Sequence, residues 1–374
     1  MKKLGIYLHI PFCVQKCLYC DFCSFPRCDR DTVSRYVSAL CLDIERWGER
    51  CRGRTVDTVY FGGGTPTLLE AADFDRIMSA IRGSFSLADG CEISCECNPA
   101  TADLEYFTAI RAVGVNRLSI GLQSASSEEL RALGRIHDFE DFKATFAAAR
   151  RADFDNISLD LMYGIPRQTV ASFERTLREA VALGPEHISA YGLKVEDGTP
   201  FGRMGKSLIL PDEDEELEMY TLCSEYLRKT GYTKYEISNF AREGYESRHN
   251  LRYWRGEDYL GLGVSAHSYL DGVRFANSRD IEGYLCGRDI VCERAEIGAD
   301  ERMTEYVMLR MRLAEGVSES DFEELFGVAF DKVYGNRLAR YIDGGYVVRT
   351  EDRVAFSDRG FFLSNYILSD ILDF

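Results

Sequence analysis

Nothing in the chain's 374 residues is apolar for long enough to cross a bilayer. The opening run Met-Lys-Lys-Leu-Gly-Ile is broken by His9 and Pro11, so neither a secretory leader nor an integral membrane segment is expected. Positive charge is in short supply. Asp and Glu number 61 against 45 Lys and Arg, a formal net charge of −16, which disfavours binding along a phosphate backbone. No nucleic-acid partner is expected. Internal repeats and low-complexity stretches are absent too, and 45% hydrophobic with 28% charged residues is ordinary for a globular chain. The 13 cysteines are too dispersed in too long a chain for a small disulfide framework, and they point to a reducing cytoplasm.

Three of those cysteines are not dispersed. Cys13, Cys17 and Cys20 fall within eight residues, a CxxxCxxC spacing that this composition yields by chance about 0.02 times. Three thiolates on one short loop can hold three corners of a 4Fe–4S cube and leave the fourth iron without a protein ligand. An open iron is a coordination site, so the spacing points to chemistry at a bound ligand. Zinc is the rival occupant. A structural zinc site takes four tetrahedral ligands, usually as two separated pairs, and no distant CxxC partner is present. Cys23 could supply a fourth thiolate, which leaves a closed cluster or another metal site open.

From residue 4 to about 195, short apolar runs alternate with amphipathic segments. The expected strands are Gly5–Ile10, Thr58–Phe61, Cys91–Cys97, Arg117–Gln123, Ile157–Gly164 and His187–Leu193. Between them the spacing predicts helices over Thr32–Arg50, Ala71–Ser84, Ala102–Val113, Phe139–Ala152 and Ser172–Leu183. Repeated βα order argues for a parallel sheet with crossover helices. Alternate residues face opposite sides of a strand. One side is polar or small on strand after strand: Tyr7 and His9, Glu92 to Asn98, Ser119 to Gln123, then Ser158 and Asp160. A packed barrel would be apolar on both faces, so this one is expected to enclose ligand. Cys91, Cys95 and Cys97 share the opposite side and read as small buried hydrophobes.

Three segments are expected: a core over residues 1–235, a connection over 236–297 and a smaller unit over 298–374. The connection follows an acidic helix start at Pro211–Glu218, a helix over Leu217–Thr230 and an extended piece at Tyr235–Phe240. The last unit reads as helices over Arg302–Ala314, Ser318–Phe326 and Phe330–Ile342, then a hairpin of Val347–Arg349 and Val354–Phe356. This resembles a winged-helix-like tail, and its acidic surroundings suit docking or covering better than DNA.

Gly62-Gly63-Gly64-Thr65-Pro66 follows the second strand, where glycines let backbone amides approach a ligand. The cysteine loop, with Tyr19 just before its last cysteine, resembles that of the radical S-adenosylmethionine (SAM) superfamily. The resemblance implies a partial (β/α)6 TIM-like barrel, a 4Fe–4S cluster, and SAM bound to the open iron through its amino and carboxylate groups. It also implies that an electron from a low-potential donor passes through the cluster and cleaves the sulfonium to a 5′-deoxyadenosyl radical. The glycine run matches the superfamily motif that receives the methionine amino group. Tyr7, Tyr19, Gly63, Gly64, Thr65, Gln123, Arg135 and Asp160 match polar positions around SAM in the oxygen-independent coproporphyrinogen III oxidase family. Glu96, an inward carboxylate at the end of the third strand, joins them by position.

The stretch His249-Asn250-Leu-Arg-Tyr253-Trp254 sets a histidine close to two aromatics, which suits axial ligation of heme iron beside a flat platform. It resembles the HNxxYW hallmark of the heme chaperone (HemW) branch of the coproporphyrinogen oxidase-like family. That resemblance implies heme held at His249, Asn250, Tyr253 and Trp254 and passed to a recipient haemoprotein, with His267 a second candidate ligand. The chain departs from the true oxidases in two places. Cys13 stands almost at the start, where they carry a long segment, and Phe22 stands where their fourth cysteine lies. The expected function is heme chaperone. The alternative is coproporphyrinogen III oxidation in porphyrin biosynthesis, which these departures disfavour, and no catalytic residue is assigned.

Overall fold

The computed structural model describes residues 2–372. Six parallel strands form its centre: β1 (Lys3–Ile10), β2 (Thr55–Gly63), β3 (Ser86–Cys97), β4 (Arg117–Gln123), β5 (Ile157–Tyr163) and β6 (His187–Gly192). The crossovers carry α1 (Arg30–Arg50), α2 (Ala71–Ser84), α3 (Leu104–Val113), α4 (Phe139–Arg151) and α5 (Val170–Ala182). Later residues extend the same sheet with β7 (Thr233–Lys234), β8 (Asn239–Ala241), β9 (Tyr259–Leu262), β10 (His267–Leu270), β11 (Val273–Asn277) and β12 (Val291–Glu296). The strand order is β12-β11-β10-β9-β1-β2-β3-β4-β5-β6-β8-β7, an open, twelve-stranded arrangement of the partial-barrel kind. Residues 233–296 thus extend both edges, with β9 parallel to β1 and β8 antiparallel to β6.

Strand alternation explains the layering. Leu4, Ile6, Leu8 and Ile10 of β1 are fully buried, as are Val59 and Phe61, Leu118, Ile120 and Leu122, and Leu159 and Leu161. They form one hydrophobic core with the inner faces of the helices. In α1 that face is Val33, Tyr36, Val37, Leu40 and Ile44, the three-and-four spacing of an amphipathic helix. Asp29 caps its first turn by accepting from the Thr32 N–H at 2.7 Å. Cys91, Cys95 and Cys97 lie on this apolar side and are buried, and burial pushes the Cys91 and Cys97 thiols up to about 12.

The opposite face is polar, but its lower half is packed and not open. Helix α7 (Arg248–Trp254), which follows α6 (Glu213–Lys229), lies against the amino-terminal ends of the strands and closes them. Glu92 of β3 accepts from the Arg248 and His249 N–H groups at 3.2 and 3.1 Å, at the positive end of the helix. Arg252 forms a buried ion pair with Asp57 of β2, and its stem packs over Gly5, where a Cβ would meet it at 2.6 Å.

A second core gathers Val307, Phe322, Phe330, Leu338, Val354 and Ile367. Its elements are α8 (Ala299–Arg310), α9 (Glu319–Phe326), α10 (Asn336–Asp343) and a three-stranded sheet of Val317–Ser318, Arg353–Phe356 and Val347–Arg349. The single helix expected over Phe330–Ile342 is a π turn, Asp331–Gly335, followed by α10, and two short helices close the described chain. Lys234 seats this unit on the sheet. Its ammonium donates to the Tyr220 hydroxyl at 2.8 Å and Asp358 at 3.0 Å, over the ring of Phe361. Among the described residues no helix is long and apolar enough to cross a membrane, and all thirteen cysteines are free thiols.

Candidate functional site

The carboxyl ends of the parallel strands surround a cavity of about 570 Å³, within the range of a ligand pocket. Cys13, Cys17 and Cys20 border it together. Their loop leaves β1 and is pinned from two sides: the Leu18 N–H donates to the Leu133 carbonyl at 3.0 Å, and the Phe201 N–H donates to Leu18 at 3.1 Å. Lys16 folds back onto the Phe22 carbonyl at 2.8 Å. All three thiols are half-buried, and burial raises the Cys13 and Cys20 thiols above their ordinary value. Cys23 is buried away from this lining, with His9 Nε2 2.8 Å from its carbonyl. Among the described residues no three His, Cys, Asp or Glu side chains converge on a single-ion site. Three thiols spread around one cavity fit a cube with an open corner better than a lone zinc.

A hydrogen-bonded chain ties the loop to the strands. Arg135 donates to the Tyr19 hydroxyl at 2.7 Å and to Asn98 Oδ1 at 2.6 Å. Asn98 donates to Thr65 Oγ1 at 2.7 Å, and that hydroxyl lies 3.7 Å from Cys13 Sγ. Burial pushes the Tyr19 phenol up to about 12, so it stays protonated. The glycine run lets backbone press on backbone: the Gly64 N–H donates to the Ile10 carbonyl at 2.9 Å, and a Cβ there would meet the Phe12 carbonyl at 2.5 Å. Gly63 has φ +113°, and its N–H donates to Glu96 Oε2 at 3.0 Å.

Glu96 also accepts from the Tyr60 hydroxyl at 3.0 Å. Burial, then the nearby Asp160, push its carboxyl up to about 7. Asp160 accepts from Ser119 Oγ at 3.0 Å and is likewise raised by burial. Gln123 has φ +65° at a bulge between β4 and β5, a conformation rare outside glycine and found at sites that re-aim a side chain. A Cβ on Gly121 would sit 2.9 Å from the Gln123 amide, so the glycine makes room for it.

The cavity therefore gathers Tyr19, Gly63, Gly64, Thr65, Glu96, Gln123, Arg135 and Asp160 with the three cysteines. Tyr7 is not on the lining; it lies one layer lower, its hydroxyl 3.0 Å from His9 Nδ1. Of the α7 residues only Asn250 reaches the cavity. His249 is 1% exposed, with Nδ1 2.9 Å from Thr58 Oγ1 and Nε2 2.8 Å from the Tyr253 hydroxyl. Burial, then Arg252 and Arg117, hold its imidazole neutral with a pKa down to about 3. Tyr253 meets it edge-on, and its flat neighbours are Tyr60 and Tyr7. Trp254 turns away toward Arg312, because a residue five positions along a helix does not share the first one's face. His267 is exposed on β10.

Arg117, Tyr60 and Tyr191 are among the lining residues that escaped the sequence reading, whereas Asn98 lies on the polar side of its strand as expected. Arg117 has the same strand parity as Ser119 and Gly121, so extending that alternation two residues upstream would have found it.

The radical SAM superfamily model matches residues 7–180, and the HemN C-terminal domain model matches residues 297–363. The chain is 35% identical over 373 residues to the heme chaperone HemW of Escherichia coli (strain K12), covering 98% of each. It is 34% identical over 376 residues to the heme chaperone HemW of Bacillus subtilis (strain 168), again covering 98% of each. Its backbone resembles that of HemN, the coproporphyrinogen III oxidase from Escherichia coli, with a TM-score of 0.87 and 26% identity over 99% of this chain and 90% of that one.

Proposed function

The chain belongs to the HemW family of heme chaperones within the radical SAM superfamily, and we propose that it holds a 4Fe–4S cluster and SAM in the cavity and carries heme to a recipient haemoprotein. The observation that carries the cofactor assignment is that three thiols, a carboxylate and a guanidinium face one cavity: Cys13, Cys17, Cys20, Glu96 and Arg135. When bound, the cluster supplies one electron, drawn from a low-potential donor, to break a sulfonium C–S bond.

The chain's own residues bind and orient. Ionised Glu96 accepts the methionine amino group, already fixed in place by the Tyr60 hydroxyl and the Gly63 N–H. Arg135, held by Tyr19 and Asn98, keeps a free Nε for the methionine carboxylate. Gln123 and Asp160 offer polar contacts to the remainder, and the loop from Cys13 to Cys20 limits access of water.

Heme is taken at the α7 motif, with His249 the axial ligand. Its neutral imidazole suits ligation, since no proton competes for the lone pair at physiological pH. Ligation through Nε2 replaces the bond to Tyr253, so that side chain must rotate as heme enters. A reducing cytoplasm fits thirteen free thiols. Heme titration of the anaerobically reconstituted protein tests this reading. A saturable Soret shift that is lost in His249→Ala, with iron content retained, supports it; a shift unchanged in that variant overturns the ligand.

The backbone likeness to HemN favours a second reading, oxidation of coproporphyrinogen III propionates. Protoporphyrinogen formed in anaerobic incubations with substrate, SAM and reductant would establish it.

A further inference from the structure

Arg117, at the start of β4, is 2% exposed and borders the deep end of the cavity beside Asn250. No hydrogen bond or ion pair reaches its guanidinium among the described residues, and its Nε is buried without a partner. A buried arginine is ordinarily paired, because desolvating an unmatched charge is costly. The groups around it form no hydrogen bond or ion pair with it. His187 and His249 are neutral, and the Tyr60 and Tyr235 phenols stay protonated under burial. Asp160 lies within its field but accepts from Ser119 and forms no ion pair with it.

The cavity thus holds two guanidiniums, half-buried Arg135 and buried Arg117, neither paired with a carboxylate. SAM brings one carboxylate, assigned above to Arg135. A second carboxylate is called for, and it must come from a second ligand. Phe22 and Tyr191, 68% and 40% exposed, also border the cavity and offer aromatic surface suited to a flat macrocycle.

We infer that Arg117 is a carboxylate receptor that takes one propionate of a tetrapyrrole whose ring rests on Phe22 and Tyr191. This docking station rests on the heme reading above. It differs from axial ligation at His249 and needs no movement of α7. A guanidinium matches a carboxylate in a two-point geometry that lysine cannot reproduce.

Metal-free protoporphyrin IX isolates the station, because it has no iron for His249 to ligate; its dimethyl ester lacks the carboxylates. The wild-type protein should quench and bind protoporphyrin IX saturably, with the dimethyl ester about tenfold weaker or worse. Arg117→Gln should abolish that difference, Arg117→Lys should restore part of it, and SAM affinity should not change. Equal binding of acid and ester to the wild type overturns the proposal without recourse to any variant. So does a preference that persists in Arg117→Gln, or a loss confined to SAM, which would give this guanidinium to the SAM carboxylate. Hemin run in parallel separates the two readings. A His249-dependent Soret shift without Arg117-dependent porphyrin binding leaves the chaperone reading standing and this one fallen, whereas no saturable binding of hemin or porphyrin overturns both.

Discussion

The imidazole of His249 stacks on the ring of Tyr60, with centroids 5.1 Å apart and planes inclined by 25°. The Tyr60 hydroxyl donates to Glu96 Oε1 at 3.0 Å. One side chain therefore separates the motif on α7 from the carboxylate that faces the cavity, and the two sites are expected to sense each other.

Tyr60→Phe tests that link. It keeps the stack and removes the hydrogen bond that favours ionised Glu96. The Glu96 carboxyl should rise above about 7, and SAM should bind severalfold more weakly at neutral pH, as read by equilibrium dialysis. His249→Ala should shift SAM affinity less than Tyr60→Phe does.

Glu96 also predicts a pH dependence. If its ionised form receives an amino group, SAM affinity should rise about tenfold between pH 6 and pH 8, and Glu96→Gln should bind weakly with a flat profile. Stability of the ligand-free protein should run the other way. The folded carboxyl titrates near 7 against an ordinary 4.5, so its stabilising proton is held below the lower value and lost as pH rises through the upper one. Glu96→Gln should then unfold at higher temperature than the parent at pH 8, by differential scanning calorimetry.

The cysteines separate cleanly. Ser in place of Cys13, Cys17 or Cys20 should cut reconstituted iron and sulfide and remove the broad cluster absorbance. Cys23→Ser should retain them, because Cys23 is buried away from the cavity lining.

Removing the cation of the buried Arg252–Asp57 pair leaves the buried carboxylate beneath α7 with only the exposed Lys3 ammonium, 3.7 Å away, for a partner. Arg252→Met should cost about 3–5 kcal/mol in urea unfolding, and the added change Asp57→Leu should recover much of it. Heme binding should fall with the first change, since α7 loses its anchor.

Much of this was legible in the sequence, for identifiable reasons. The α2 helix and β4 have the bounds their periodicity implies, because capping and alternation are local. The cysteine loop and glycine run were readable because their spacing is itself the chemistry. Tyr7 was less so: strand parity gives the side of the sheet but not the depth, and its side chain lies one layer under the cavity. Arg117 was passed over because a charged residue opening a strand reads as an exposed end, and only the closure by α7 turns that end inward. Nothing in His249-Asn250-Leu-Arg-Tyr253-Trp254 foretold that Glu92, 157 positions earlier, would cap the helix. The pairing of residues so distant is a tertiary fact.

The most direct test of the account follows heme and porphyrin in one anaerobic sample of reconstituted protein with SAM and reductant. Heme loaded on the protein should pass to an apo-haemoprotein, with the Soret band moving to the recipient's position, while coproporphyrinogen III is left unconverted. Protoporphyrinogen accumulating without any heme transfer would contradict it.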